Sequence, residues 1–257
     1  MTTPNNIDLA DHLRFIAFLL GKLKEQYRSQ AFSRAAEYIQ IHQVNLVIQD
    51  GKLQTKIPGV GESISQVIVE FVATGTSGRL NELRNKLPTE VLDRFDASVC
   101  KRKVNELLAP LTDAKMDWGY AGSIRRGLLS VKDVDVIVCT SHRQEKVFVR
   151  RILENVGLRP DVRNGEERVG VSVPIKSQGR SFTLDLNFTT SSHRGAHYLY
   201  FTGPKAYNIA QRARAKAKGL LLNQRGLYKN GILIAGATEK EIFDALGETY
   251  LEPAQRA

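Results

Sequence analysis

Cysteine is scarce in this chain. Only Cys100 and Cys139 occur among 257 residues. They have no metal-ligand spacing, so neither a disulfide framework nor a cysteine-bound metal is expected, and a reducing intracellular setting is. No apolar run is long enough to cross a membrane. The opening MTTPNNIDLADHL lacks the basic flank and apolar core of a signal peptide. Nuclear, cytoplasmic and virion locations all remain open. Repeats and low-complexity segments are also lacking. Acidic residues are outnumbered, 27 Asp and Glu against 37 Lys and Arg, for a formal net charge of +10. That balance favours a polyanionic partner, nucleic acid before membrane. A hydrophobic content of 42% is ordinary for a globular protein, and the length allows two domains.

What is present centres on residues 120–140, YAGSIRRGLLSVKDVDVIVCT. Asp133, Val134, Asp135, Val136, Ile137 and Val138 predict a buried strand. Residues two apart in a strand share a face, so Asp133 and Asp135 stand side by side with Val134 and Val136 packed behind. Two carboxylates this close repel each other, and burying them is costly unless a cation sits between. Mg²⁺ is the usual cation for clustered carboxylate oxygens, with open positions for phosphate. Two surface acids on an edge strand would give the same D-x-D, but the flanking valines argue against that. Gly122 and Ser123 offer backbone N–H groups and a hydroxyl to a phosphate at the start of a short helix, and Arg126 adds a charge-assisted fork. The arrangement suits a nucleoside triphosphate.

Upstream, Leu9, Leu13, Ile16, Leu20 and Leu23 predict a helix over 7–27, and a second is expected over 31–48 with Ala35, Ile39 and Val47 inward. Both serve packing. The run from Lys56 to Ile64, KIPGVGESI, precedes a helical stretch Ser65–Ala73 closed by Gly75. A P-G-V-G turn between helices is a helix-hairpin-helix signature. Its glycines permit a tight turn whose N–H groups face a DNA phosphate without base readout. An ordinary αα-turn is the alternative. Pro58, the spacing to Ile64 and Ile68, and the basic balance favour DNA. Residues 80–110 are expected to be helical and charged, with a domain boundary near Pro88.

Downstream, Gln144–Val156 is expected as a helix. Val169, Val171, Val173 and Ile175 alternate as a strand, and Lys176–Arg180 is a polar turn. Phe182, Leu184, Leu186 and Phe188 then alternate against Thr183, Asp185 and Asn187. Asp185 is a third strand-borne carboxylate, able to join Asp133 and Asp135 if its strand lies beside theirs, or a solvated acid if not. Three carboxylates would make a two-metal site that activates a 3′-hydroxyl and stabilises departing pyrophosphate. Pro204 and Gly219 bracket a basic helix carrying Arg212, Arg214 and Lys216. Asn230-Gly231 predicts a two-residue hairpin turn. Thr238 with Glu241 predicts a capping box for a final helix, Glu239–Tyr250.

In order and spacing, IPGVGESI, GSIRRG with VKDVDV, GEERVGV, LDLNF, YLYFTG and EKEIFDAL together resemble the family X DNA polymerases of the polymerase beta type. The resemblance covers most of the chain. It implies an α+β fold: a helical helix-hairpin-helix domain over 1–88, a nucleotidyltransferase palm with a mixed sheet over 89–191, and a small α/β nucleotide- and template-binding subdomain over 192–257. By resemblance Asp133 and Asp135 hold two Mg²⁺ ions, with Mn²⁺ as the alternative, and Asp185 binds the catalytic one. Gly122, Ser123 and Arg126 grip the triphosphate, and Lys132 stands beside it. Tyr200, Phe201 and Gly203 lie against the incoming sugar. Asn208 reaches the minor-groove edge of the base and Lys205 lies over it. Arg212 meets the template, while Gly59, Val60, Gly61 and Arg28 meet DNA, with a monovalent cation at the hairpin. The implied partners are gapped or primer–template DNA and a dNTP, and the implied state is a monomer. The implied activity is template-directed gap filling in DNA repair. A template-independent nucleotidyltransferase and a non-catalytic DNA-end-binding protein are the other readings.

Two departures stand out. Residues 89–118 leave almost no room for the family's fingers subdomain, which implies a reduced polymerase with weaker, more salt-sensitive DNA binding. Val67 stands at the position of the family's Schiff-base lysine, and no lysine occurs between Ile57 and Arg84. The 5′-deoxyribose phosphate lyase activity is therefore expected to be absent. Ser63 also replaces a lysine of the 5′-phosphate pocket, although Arg28 and Phe32 match its basic and aromatic positions.

Overall fold

The computed structural model describes residues 5–163 and 167–256; Gly165 and Glu166 of the GEERVGV motif and the first four residues lie outside them. Its contacts divide the chain into two units, Met1–Val99 with Pro174–Ser181, and Cys100–Val173 with Phe182–Ala257.

In the first unit, the Asn5 side chain accepts the Asp8 N–H and starts α1 (Asn6–Lys22). Leu9, Leu13, Ile16 and Leu20 are buried as the spacing demands and Leu23 is half-buried, but the helix stops sooner than residue 27. Lys24 takes a left-handed conformation (φ 63°), and α2 (Gln26–His42) begins at once. Gln43 (φ 46°) ends α2 well before residue 48. The chain beyond it forms a ribbon of β1 (Ile48–Gln49) and β2 (Lys52–Leu53), and the Thr55 hydroxyl accepts the Val47 N–H at 2.8 Å. The unit continues through α3 (Glu62–Thr74), α4 (Gly78–Lys86), α5 (Thr89–Leu92) and β3 (Phe95–Asp96). Leu9, Ile16, Leu20, Phe32, Ile39, Ile64, Ile68 and Phe71 form its core. Each such side chain contributes roughly 1.5–3 kcal/mol by leaving water.

His12 sits inside this core, fully buried. Its Nδ1 lies 3.0 Å from the Ser177 carbonyl and its Nε2 2.9 Å from the Ser77 hydroxyl. The Nδ1–H tautomer of the neutral ring satisfies both, with Nδ1–H donating to the carbonyl and Nε2 accepting from Ser77. Burial pushes its pKa down from 6.5 to about 4, with Arg84 adding to the shift. The unfolded chain takes up this proton near pH 6.5 and the folded chain does not. Stability is therefore expected to be full above that pH and to fall by on the order of 3 kcal/mol as pH drops from about 6.5 to 4. Melting curves of wild type and His12→Phe between pH 8 and 4.5 check this. Equal pH slopes for the two proteins would contradict it.

The second unit contains α6 (Ala97–Asp113), β4 (Trp118–Tyr120), α7 (Gly122–Arg125), β5 (Ser130–Val131), β6 (Asp133–Cys139), α8 (Arg143–Asn155), β7 (Asp161–Arg163), β8 (Arg168–Ile175) and β9 (Arg180–Thr189). The main sheet runs β4-β6-β9-β8-β7 and is mixed, because β6 and β9 are parallel while β4 pairs antiparallel with β6 and β7 with β8. Val134, Val136, Ile137 and Val138 are fully buried, as expected for a strand covered on both sides.

A separate core gathers Leu199, Tyr207, Leu222, Leu227, Ile242 and Phe243. They come from α9 (Arg194–Thr202), α10 (Lys205–Ala217), β10 (Leu221–Asn223), β11 (Gly226–Lys229) and α11 (Glu239–Leu246); β12 (Ile232–Ala235) completes the three-stranded sheet. Asn230 (φ 50°) and Gly231 (φ 78°) turn the β11–β12 hairpin as their sequence predicts. The capping box at Thr238 and Glu241 forms, but α11 stops at Gly247 (φ 65°) rather than at Tyr250. The architecture is α+β, with a first unit that is helical apart from short strand segments. No helix among the described residues is long and apolar enough to cross a membrane.

Candidate active site

The register of β6 and β9 decides the site. Asp135 stands directly opposite Asp185, and Asp133 opposite Thr183. Asp133 is exposed, Asp135 half-buried and Asp185 buried. The three carboxylates therefore share one face and one end of the sheet, where β9 runs parallel beside β6. Burial, then repulsion from Asp133 and Asp185, pushes the Asp135 carboxyl up to about 7; Arg168 and Arg126 oppose the shift. A carboxylate this short of positive charge is a ready ligand for a hard cation.

Gly122 closes the site from below. A Cβ there would fall 2.2 Å from Asp135 Oδ2, and the residue has φ 57°. Both facts require glycine, so the Gly-Ser turn abuts the carboxylate. Ser123 is half-buried at the start of α7, and Lys132 is exposed just before β6. The Arg126 guanidinium donates to the Thr202 carbonyl and acts electrostatically on Asp135 and Asp133.

The YLYFTG segment is held in the same unit. The Asn208 amide donates to the Tyr200 carbonyl at 2.6 Å, and Tyr200 meets Phe201 edge-on at 5.1 Å. Gly203 (φ 63°) precedes a cis bond to Pro204, and a Cβ on it would lie 3.6 Å from Arg126 Nη1. Lys205 is exposed at the first position of α10, and Arg212 is exposed two turns further on. The structure thus brings Gly122 and Arg126 to the aspartates and Gly203 beside Arg126, while Lys205 and Arg212 face solvent.

Two contacts escaped the sequence. Arg125 forms a fork with Glu239 at 2.9 and 2.6 Å and also reaches the Thr202 hydroxyl at 2.9 Å. The fully buried Arg256 donates to the same Glu239 at 2.7 Å, and Tyr250 donates to it at 3.2 Å. Arg125, the first arginine of GSIRRG, therefore anchors α7. The second contact is on Asp185, whose two oxygens are both taken by Arg168, at 3.2 and 2.5 Å. Among the described residues no three acidic, histidine or cysteine side chains gather tightly enough to hold an ion as they stand. The donor set nevertheless fits a divalent metal, because it is all oxygen and carries more negative charge than its neighbours offset.

In the first unit Gly59 (φ 75°) makes the hairpin turn, Val60 N–H donates to the Ile57 carbonyl at 3.1 Å, and Gly61 caps α3. Nothing lies within 4 Å of a Cβ built on either glycine, so this turn is open to an approaching backbone. Beside it lies a cleft of about 560 Å³ whose lining includes Arg28, Phe32, Ser63, Val67, Glu70 and Arg79. No lysine lines it. Arg28 and Arg79 both bond Glu25, at 2.8 and 3.6 Å, which reduces the positive charge they offer.

A family model described as DNA polymerase beta thumb matches residues 197–257, and one described as helix-hairpin-helix domain matches residues 4–77. The repair DNA polymerase X of one African swine fever virus isolate is 34% identical over 182 residues, covering 69% of this chain and 94% of the relative. That of a second strain is 35% identical over 140 residues, covering 52% and 78%. DNA polymerase lambda of Rattus norvegicus is 30% identical over 158 residues, covering 52% of this chain and 28% of the relative.

Proposed function

The chain belongs to the family X DNA polymerases, and from that premise we propose that it is a DNA-directed DNA polymerase that fills short gaps in repair by a two-metal mechanism. One observation carries the reading: Asp135 and Asp185 stand in register on parallel neighbouring strands, with Asp133 beside them and the Gly122 turn against Asp135. Asp133 and Asp135 would hold both ions, and Asp185 the one nearest the primer. Bound Mg²⁺ would supply a lowered pKa at the primer 3′-hydroxyl and an offset for charge on the leaving pyrophosphate.

The remaining work falls to the chain. The α7 N–H groups, the Ser123 hydroxyl and the Arg126 fork orient the triphosphate so that its α-phosphorus faces the 3′-oxygen in line. For that, Arg126 must exchange the Thr202 carbonyl for phosphate oxygens. Tyr200, Phe201 and Gly203 shape the sugar pocket, and Asn208, Lys205 and Arg212 face the base and template. Residues 1–88 serve as the DNA-binding domain, 89–191 as the palm and 192–257 as the nucleotide- and template-binding part. The open turn at Gly59, Val60 and Gly61 suits a DNA phosphate and a monovalent cation. A monomer is sufficient for all of this.

Extension by one nucleotide on three DNAs tests the reading: a one-nucleotide gap with a 5′-phosphate, an open primer–template, and a single strand. Extension of the first two is expected. Extension of the single strand alone would favour a template-independent transferase, and binding of DNA ends without extension a non-catalytic role.

Lyase activity is proposed to be absent. An imine requires a primary amine, and the buried Val67 supplies none at the cleft position where the family's lysine would stand. Borohydride reduction in the presence of a 5′-deoxyribose phosphate end should trap no covalent adduct. Efficient trapping would sink this part of the reading.

A further inference from the structure

Asp185 already has a cation. The Arg168 guanidinium reaches across from β8, its Nε 3.2 Å from Oδ1 and its Nη2 2.5 Å from Oδ2. A two-point fork of this kind fills the carboxylate lobes that a metal would use. We propose that Arg168 is an internal counter-ion that competes with divalent metal for Asp185 and so sets the metal affinity of the carboxylate site. This rests on the polymerase reading above, in which Asp185 is a metal ligand.

Three observations carry it. First, the two partners differ in access to water. The Asp185 side chain is 7% exposed and that of Arg168 38%. The guanidinium can swing out into solvent while the carboxylate stays in place, which is the motion an exchange for metal requires. Second, Gly170 permits the contact. A Cβ on it would lie 3.2 Å from Asp185 Oδ1 and 3.3 Å from the Arg163 guanidinium carbon. The absent side chain lets Asp185 settle over β8. Third, the neighbouring Arg163 is bonded elsewhere. It stands in register with Arg168, but its Nε donates to Asp161 at 2.6 Å. Arg168 is thus the guanidinium bonded to Asp185, and its charge also acts on Asp135 and Asp133. Removing it leaves three neighbouring carboxylates with less positive charge, and a divalent cation then gains what the arginine gave up.

The bland alternative is a structural tie between β8 and β9. The two roles differ in one readout: loss of a tie does not strengthen metal binding, whereas loss of a competitor does. Mn²⁺ binding to the DNA-free, nucleotide-free protein at pH 8, followed by electron paramagnetic resonance, separates them. Arg168→Gln should bind Mn²⁺ about tenfold more tightly than wild type, since an adjacent opposite charge lowers a carboxylate's affinity for a proton by about one to three decades and opposes a metal cation by the same electrostatics. Arg168→Lys keeps the charge without the fork and should fall between the two, which also keeps the test in force if the glutamine variant folds poorly. Adding Asp185→Asn to Arg168→Gln should remove the gain.

Equal or weaker binding by both arginine variants, with wild-type binding that depends on Asp185, would overturn the competition and leave the polymerase reading intact. Failure of wild type and both variants to bind Mn²⁺ at all would overturn the competition, and the same failure with a dNTP present would overturn the polymerase reading as well.

Discussion

Asp135→Asn is expected to lower metal-dependent nucleotide incorporation by about a thousandfold, while the melting temperature measured without metal stays the same or rises. The two halves of this result have one cause. Asp135 is half-buried, faces Asp185 across the strand pair, and stands beside Asp133 on its own strand. Without metal the three carboxylates repel one another, so a neutral isostere relieves the fold. With metal, loss of one anionic ligand removes several kcal/mol of transition-state stabilisation, and about 4 kcal/mol is a thousandfold in rate. A melting curve and a gapped-DNA extension assay on the same preparation check both. A large fall in melting temperature, or near wild-type incorporation, would mean that Asp135 is a structural acid.

Glu239→Ala is expected to destabilise the second unit by about 3–5 kcal/mol, the usual cost of stripping the partner from buried charge. Glu239 is buried and accepts from Arg125, Arg256 and Tyr250. Arg256 is fully buried and has the Leu251 carbonyl as its other acceptor, at 3.0 and 2.8 Å. The variant leaves its guanidinium charge without a counter-ion. It also frees Arg125 and loosens α7, so the KM for nucleotide should rise. Urea unfolding gives the first number and steady-state kinetics the second. A stability change below about 1 kcal/mol would show that water or another acceptor replaces the carboxylate easily.

Much of this was legible because it is local. The period of two in DVDVIV and in FTLDLNF placed three carboxylates on strands. Asn230-Gly231 and the Thr238–Glu241 capping box turned and started elements where their side chains dictate. The boundaries of α1 and α2 were less legible. Leu23 continues the apolar stripe, yet the left-handed Lys24 ends the helix. The long-range charge pairs were not legible at all. Arg168 lay within GEERVGV with no role assigned, and the strand pairing beside Asp185 gives it one. Arg125 and Arg126 are adjacent and chemically identical in sequence. Only the fold sends the first to Glu239 and leaves the second beside the aspartates.

Templated, metal-dependent addition at the three aspartates is tested by incorporation of each dNTP, offered singly, opposite each template base in a one-nucleotide gap, with Mg²⁺ and with the metal chelated. The expected result is addition of the complementary nucleotide alone, lost on chelation. Addition that ignores the template base, addition that survives chelation, or no addition by a folded protein that binds the gap would contradict it.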